Sequence, residues 1–164
     1  MTEAVVRADG RFLIGGQVFR AALGKGGVRA DKREGDGATP RGLLALRRVF
    51  YRADRVAIPA CAVRREALAP DDGWCDDAAD RAYNRKVRLP HGGGHEELWR
   101  SDGLYDLIGV LGWNDDPVER GRGSAIFLHV ARPDHAPTEG CVALTLADLR
   151  TVLAAGLLAL RVIE

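Results

Sequence analysis

The sequence lacks the features that would mark several simple classes of function. Its 164 residues carry 24 basic and 23 acidic side chains, so the formal net charge is only +1. No basic stripe of the kind that binds nucleic acid is present, and no acidic tail offers a site to a basic partner. The longest apolar run, residues 152–163, contains Gly156 and Arg161 and is too short to span a bilayer. We therefore expect neither a nucleic-acid partner nor insertion into a membrane.

Cysteine and export signals are also scarce. The three cysteines Cys61, Cys75 and Cys141 are an odd number without close spacing. Such a set argues against a disulfide framework and against a CxxC zinc site. The N-terminal segment has no basic start, no apolar stretch of signal length and no small-residue cleavage site. From these absences we expect a cytoplasmic protein with at least one free thiol.

Short apolar segments separated by turns predict a mainly β fold in one domain over residues 1–164. Several short strands joined by glycine turns are expected in the first quarter of the chain. Residues 105–113 and 124–130 are continuous apolar runs of strand length. Residues 43–52 fit either a strand or a helix. Residues 24–42 form a polar, glycine-rich loop, either mobile or bordering a site, and residues 69–103 are expected to be irregular.

The pattern changes period after the last cysteine. Thr145 can cap a helix, with Asp148 three residues later. Apolar residues then recur on one helical face until Gly156, which is typical of a helix end. Residues 157–164 predict a final strand. One or two short helices are therefore expected in the whole chain.

The segment FLHVARPDHAPTEGCVALT, residues 127–145, brings a histidine and a cysteine into one short stretch. His129 closes a buried strand, and Cys141 follows Gly140 at a tight approach into an apolar run. Only a few per cent of a free thiol is ionised at neutral pH, so a nucleophilic cysteine needs a base within reach. From the residues alone this pair is either a Cys–His site or a buried thiol near a surface histidine.

The segment from His129 to Cys141, with eleven residues between them and Thr138-Glu139-Gly140-Cys141 at its end, resembles the active-site signature of the L,D-transpeptidase catalytic-domain family. Asp36 to Gly42 resembles the Thr-Pro-x-Gly segment of the same family, and the order of elements matches over roughly residues 3–163. The resemblance implies a β-sandwich fold. It also implies that Cys141 is the nucleophile and His129 the general base and acid, oriented by the carbonyl of Val130. Gly140 and the backbone N–H of Cys141 would border an oxyanion hole.

The sequence departs from the family pattern in two respects. Glu139 stands where the family usually has histidine, and Ala143 and Leu144 stand where an arginine or asparagine is common. Glu139 is therefore expected either to point away from the thiol and bind a substrate ammonium, or to belong to a site that is tuned differently. The remaining predicted substrate-binding residues are Thr138, Arg132 and His135. The candidate replacements for the missing arginine are Arg132, Arg33 and Arg122.

The resemblance implies an enzyme that acts on peptidoglycan stem tetrapeptides or muropeptides through a thioester, with release of terminal D-Ala. Because we expect a cytoplasmic protein, the preferred reaction is that of an L,D-carboxypeptidase in wall recycling, with L,D-transpeptidation as the other outcome. A non-catalytic stem-peptide binding or regulatory module is the alternative. No cofactor and no metal are predicted. A metal-dependent peptidase that uses His91, His95 and His129 was the third possibility, and the oligomeric state stays open.

Overall fold

The computed structural model describes residues 2–164 and is mainly β, as predicted. It contains one small domain with fourteen strands and one helix. The strands are β1 Thr2–Arg7, β2 Arg11–Ile14, β3 Gln17–Arg20, β4 Val28–Arg29, β5 Thr39–Pro40, β6 Gly42–Tyr51, β7 Arg65–Ala67, β8 Asp72–Cys75, β9 Lys86–Arg88, β10 His95–Glu97, β11 Leu107–Leu111, β12 Phe127–Val130, β13 Val142–Leu144 and β14 Leu157–Ile163. The helix is α1, Leu146–Ala154.

The largest sheet has the order β13-β12-β11-β6-β14-β1-β2-β3, with β7 paired to β6 outside this path. Strand β6 joins its two halves. Residues 42–45 of β6 pair with β14, and residues 46–51 pair with β11. β6 was ambiguous between strand and helix in the sequence; inward-facing Leu44 and Leu46, two positions apart, show the strand period.

The first three strands and the helix follow the sequence prediction. β1 and β2 pair antiparallel across a turn at Gly10, and β2 pairs with β3. Thr145 caps α1 by accepting a hydrogen bond of 3.1 Å from the backbone N–H of Asp148. The chain leaves the helix through Gly156, whose φ is +90°. α1 is the one helix in residues 2–164, and it is too short to cross a membrane.

The expectation that residues 69–103 are irregular was wrong. This segment contains a small antiparallel sheet with the order β10-β8-β9. Its strands are three or four residues long and include glycine, aspartate and histidine, so they show no alternating apolar pattern. Pairing between strands distant in sequence, rather than local propensity, stabilises them. The expected strand over residues 124–130 is also shorter than predicted, because Ala125 has a φ of +53° and the regular strand begins at Phe127.

The buried apolar residues form two clusters, and both include residues of β6, β11 and β12. The larger cluster packs α1 against the sheet through Leu149, Val152 and Leu153. The smaller cluster packs the small sheet against β11 and β12, with Trp74 edge-on to Phe127 at a centroid distance of 5.2 Å. Cys141 belongs to this smaller cluster. The small sheet thus covers the part of the molecule that holds the last cysteine.

Candidate active site

His129 and Cys141 are brought to the same edge of the large sheet by β12 and β13. These strands pair in parallel, with His129 opposite Ala143. Cys141 comes directly before β13 and two residues before Ala143. Because side chains two residues apart on extended chain point to the same face, His129 and Cys141 share a face. Both side chains line one cleft of about 440 Å³, so the structure brings together the two residues that the motif singled out.

The thiol of Cys141 is buried and hydrogen-bonded. Only 7% of the residue is exposed. Its Sγ donates to the carbonyl oxygen of Ala125 at 3.3 Å and accepts the backbone N–H of Phe127 at 3.4 Å. Burial, and to a smaller extent the negative charge of Glu96, raise the pKa of this thiol to about 12. The thiol is therefore protonated at neutral pH and needs a base in order to attack.

The imidazole of His129 has the protonation state of a base. Its Nδ1 lies 2.9 Å from the carbonyl oxygen of Val130. Because a carbonyl can only accept, this contact assigns the proton to Nδ1 and leaves Nε2 as the acceptor. Burial, helped by the positive charge of Arg100, lowers the pKa of His129 to about 4. The Val130 contact is the one that the resemblance implies, and the ring is further held edge-on by Tyr105 at 5.3 Å.

The turn before the cysteine is built by Thr138 and Gly140. Thr138 Oγ1 donates to the carbonyl oxygen of Cys141 at 2.8 Å and accepts the N–H of Gly140 at 3.1 Å. Gly140 has a φ of +134°, and a Cβ at this position would lie 2.8 Å from the carbonyl oxygen of Ala38. Only glycine meets both conditions without strain. The turn therefore fixes the backbone that presents the thiol.

Glu139 points away from the thiol, as the first of the two expectations requires, while its binding of a substrate ammonium stays a prediction. Its side chain is 81% exposed, and it pairs with Lys25 at 2.9 Å. Its negative charge is only the last-ranked cause of the raised pKa of Cys141. An ion pair this exposed contributes little to stability. Glu139 nevertheless lines the mouth of the cleft together with Thr138.

The loop over residues 24–42 borders the site and is held by specific contacts, so its interpretation as a mobile surface loop was wrong. Thr39 Oγ1 accepts the N–H of Gly24 at 2.9 Å and donates to the carbonyl oxygen of Cys141 at 3.3 Å. Lys32 is 3% exposed and pairs with Asp36 at 2.6 Å. The Thr-Pro-x-Gly segment thus supports the backbone of Cys141.

Three carboxylates in the cleft were not identified from the sequence as site residues. They are Glu34, Asp76 and Glu96. Burial raises the pKa of Glu96, and the negative charges of Asp76 and Glu34 raise it further, against the hydrogen bond from Tyr105. Burial and the charge of Glu34 raise the pKa of Asp76 in the same way. The cleft is therefore a site of concentrated negative charge.

Little in the sequence points to these residues, because they lie on separate segments. Asp76 stands in an aspartate-rich segment, and clustered aspartates usually form a solvated face. Asp72 is instead 3% exposed and pairs with Lys86 at 2.8 Å. Tyr105 is buried, and its hydroxyl donates to Glu96 at 2.8 Å, a contact that only the fold reveals.

Two arginines face the cleft. Arg132, one of the three predicted replacements for the missing family arginine, lines it, and so does Arg100, which the sequence did not suggest. Arg100 pairs with Asp102 and lies 5.2 Å from the centre of the Tyr105 ring. Neither Arg33 nor Arg122 is among the residues that line the cleft.

His135 lies in the loop between His129 and Cys141 but is not among the residues that line the cleft. Its φ is +53°, and its backbone N–H donates to the carbonyl oxygen of Arg132 at 2.9 Å. Its Nε2 is buried and has no hydrogen-bond partner among residues 2–164. Its predicted role in substrate binding stays a prediction.

Behind the thiol, a hydrogen-bond network fixes the strained residue Ala125. Asn84 Oδ1 accepts the backbone N–H of Ala125 at 3.0 Å. The carbonyl of the same residue accepts the Cys141 thiol. Nearby, Ser124 and Tyr83 both donate to Glu34, at 2.6 and 2.7 Å. Strained backbone held this way is common beside functional groups.

The histidines do not form the cluster required by the metal-dependent peptidase hypothesis. His129 lies in the cleft, whereas His91 lies against Asp80 at 2.9 Å. The one group of three potential metal ligands in residues 2–164 is Cys75, Asp80 and His91. That hypothesis was therefore wrong in its ligand set.

The cleft has what thiol-based acyl transfer requires: a sheltered cysteine, a neutral imidazole on the same face and a tight backbone turn at the sulfur. The family model of the L,D-transpeptidase catalytic domain (YkuD) matches residues 4–162. The chain therefore belongs to this family, whose members are cysteine acyltransferases that act on peptidoglycan stem peptides. No curated protein matches the chain.

Proposed function

We propose that this protein is an L,D-carboxypeptidase that removes terminal D-Ala from stem tetrapeptides, with Cys141 as nucleophile and His129 as general base and acid. The observation that carries the proposal is the shared face of these two residues in one cleft. The neutral imidazole, fixed by Val130, supplies an acceptor for the thiol proton. The family membership supports the substrate class.

The reaction begins as the sulfur of Cys141 bonds to the carbonyl carbon of the diamino acid and its proton passes to Nε2 of His129. The carbonyl oxygen becomes an oxyanion, and the backbone N–H of Cys141 beside Gly140 is the proposed donor to it. The imidazolium then gives its proton to the departing amine of D-Ala, leaving a thioester. Water attacks this thioester, with His129 again taking the proton, and tripeptide and free thiol are released.

The charges in the cleft support a substrate with both an ammonium and a carboxylate. Glu34, Asp76 and Glu96 would bind the free ammonium of a diamino acid, which compensates their mutual repulsion. Arg132 and Arg100 are the proposed partners of a substrate carboxylate. Glu139 is a weaker candidate for binding the ammonium than the sequence suggested, because it is already paired with Lys25.

Hydrolysis is favoured over cross-linking because the reacting groups are almost fully enclosed. Cys141 is 7% and His129 6% exposed. A cleft of about 440 Å³ is at the small end for an organic ligand. Water reaches a buried thioester more easily than the amine of a second stem peptide does. The proposed substrates are soluble wall fragments, consistent with the predicted cytoplasmic location, which fractionation of the native host would test.

Mass spectrometry of purified protein incubated with a free or disaccharide-linked tetrapeptide tests this function. Wild-type protein should convert tetrapeptide to tripeptide and D-Ala, Cys141→Ala should not, and Cys61→Ser should match the wild type. A cross-linked dimer would change the assignment to L,D-transpeptidase. Stoichiometric tetrapeptide binding without any product would instead support the non-catalytic binding module.

A further inference from the structure

A second group of reactive side chains lies on the small sheet, separate from the residues that line the cleft. Cys75 ends β8, Asp80 lies in the turn that follows, and His91 lies beyond β9. Their ligand atoms all lie within 4.8 Å of one another. We infer that Cys75, Asp80 and His91 form a binding site for a Zn²⁺-like transition-metal ion, independent of the acyl-transfer chemistry.

Cys75 is held rigidly enough to act as a ligand. The residue is fully buried, and it pairs with His95 across β8 and β10. Its backbone N–H donates to Arg85 and its carbonyl accepts from Asn84, both at 2.9 Å. These backbone bonds fix the position from which the Cys75 side chain projects.

Asp80 and His91 already point at each other. Asp80 Oδ1 accepts the N–H of Ala82 at 2.7 Å, which fixes the carboxylate and leaves Oδ2 directed at His91 Nε2, 2.9 Å away. Both side chains are 20% exposed, so an ion can enter from solvent. On binding, Cys75 releases its thiol proton, and the proton that His91 Nε2 donates to Asp80 moves to Nδ1 or to solvent, which frees Nε2 to coordinate the ion.

The glycines of residues 92–94 allow the chain to close over these ligands. A Cβ on Gly93 would collide with Asp80 Oδ2 and lie 3.3 Å from His91 Nε2. The N–H of Gly94 is taken by Asp77 at 3.2 Å. The carbonyl of Gly93 holds Nδ1 of His95 at 2.9 Å, and the rings of His91 and His95 are 6.1 Å apart. This segment therefore packs directly on the ligand atoms.

The ligand types select the kind of ion. One thiolate, one imidazole and one carboxylate suit Zn²⁺ and chemically similar ions, whereas Mg²⁺ and Ca²⁺ prefer oxygen ligands only. Coordination requires small shifts of the three side chains: Asp80 Oδ2 and His91 Nε2, now 2.9 Å apart, must open slightly to admit the ion. Asp76 and Asp77 add negative charge nearby. The fourth position is left for water or His95.

A bound ion would stabilise the small sheet. It would join β8 to the segment that leads from β9 to β10. β10 carries Glu96, which faces the cleft. The ion thus acts on the fold rather than on the reacting atoms, and its test does not depend on catalysis.

Titration of Co²⁺ into metal-free full-length protein is the experiment. Cys141→Ala serves as the background, which excludes metal binding by the cleft thiol. We expect one equivalent of Co²⁺ to give a thiolate-to-cobalt absorption band and visible bands of tetrahedral cobalt, displaced by Zn²⁺. Cys75→Ser should remove the thiolate band. His91→Ala should weaken binding by more than about tenfold, and Cys61→Ser should leave the spectrum unchanged.

A thiolate band that survives in Cys75→Ser, or the lack of any such band in the background protein, would overturn the proposal. Far-UV circular dichroism checks that each variant is folded. Where Cys75→Ser fails to fold, His91→Ala decides, because its partly exposed side chain is less important for packing. Unchanged Co²⁺ affinity in folded His91→Ala also refutes the site.

Discussion

The protein contains two buried cysteines that each lie near a histidine, and the two regions differ in what surrounds the sulfur. At Cys141 the imidazole in the same cleft, that of His129, is neutral and oriented by a backbone carbonyl. The cleft is large enough for the end of a peptide. At Cys75 the imidazole faces a carboxylate, and the thiol ends a strand that is paired on both sides. The first arrangement suits proton transfer to a base, the second suits cation binding. The identity of the residues alone does not separate these roles.

The largest expected effect comes from removing each sulfur in turn. Cys141→Ala should lower D-Ala release by at least about 10³-fold, because no other group can form the thioester. Cys75→Ala should keep the reaction while lowering the temperature of unfolding, because it leaves a cavity in a buried sheet. Initial rates by mass spectrometry and thermal unfolding by circular dichroism measure the two. Equal loss of rate in both variants would show that the two regions are not separable.

Replacing the cleft imidazole should have the next largest effect. His129→Gln is expected to lower kcat/KM by about 10²–10⁴-fold, since it removes the general base. In the wild type, kcat/KM should fall as pH drops through the pKa of about 4 that burial gives His129, because only the neutral imidazole accepts a proton. A pH profile of initial rates checks this. An acid limb unchanged in the residual activity of His129→Gln would contradict the assignment.

Reactivity with an electrophile separates the hypotheses less well than product formation does. Burial raises the pKa of Cys141 to about 12, so slow alkylation at pH 7 follows from the fold whether or not the protein is an enzyme. Slow alkylation of Cys141 in unliganded protein is therefore expected. A faster reaction in the presence of a tripeptide product would indicate that substrate binding changes the environment of the thiol.

The imidazole of His129 also makes the free energy of unfolding depend on pH. The folded-state pKa of His129 is about 4, below the ordinary value of 6.5, so the unfolded chain binds the proton more tightly. Stability is therefore fully present above pH 6.5 and is lost as pH falls from there towards 4, by about 3 kcal/mol at most. Urea unfolding of wild type and His129→Gln at pH 7 and pH 4.5 isolates this contribution. Parallel losses in both proteins would rule it out.

The sequence was sufficient to predict His129 and Cys141 as site residues, but not the charged residues around them, for a physical reason. His129 and Cys141 are close in the chain, and a short loop between parallel strands brings them together. Glu34, Asp76, Glu96 and Arg100 come from distant segments whose approach depends on pairing of very short strands. The helix and the long strands followed from local periodicity. The small sheet did not, because tertiary contacts rather than side-chain pattern determine it.

The smallest expected effects come from replacing two glycines with alanine. At one position the new methyl group meets backbone atoms, and at the other it meets a side chain that can move away. Gly140→Ala places a Cβ 2.8 Å from the backbone oxygen of Ala38 at a φ of +134°, so it should cost about 1–3 kcal/mol in unfolding free energy. Gly93→Ala meets the carboxylate tip of Asp80, which can rotate away. It should therefore cost less in metal-free protein.

Metal binding should increase the effect of Gly93→Ala but leave the effect of Gly140→Ala unchanged. Once Asp80 coordinates an ion, its carboxylate can no longer yield to a methyl group at position 93, so Gly93→Ala should weaken Co²⁺ binding. A Cβ at position 140 would contact Ala38 and Ile126 and none of the three proposed ligands, so Gly140→Ala should leave that affinity unchanged. Paired urea unfolding curves with and without Zn²⁺, beside Co²⁺ titrations, measure both effects. A Gly93→Ala protein with wild-type cobalt affinity would mean that the segment over residues 92–94 does not close on the ion.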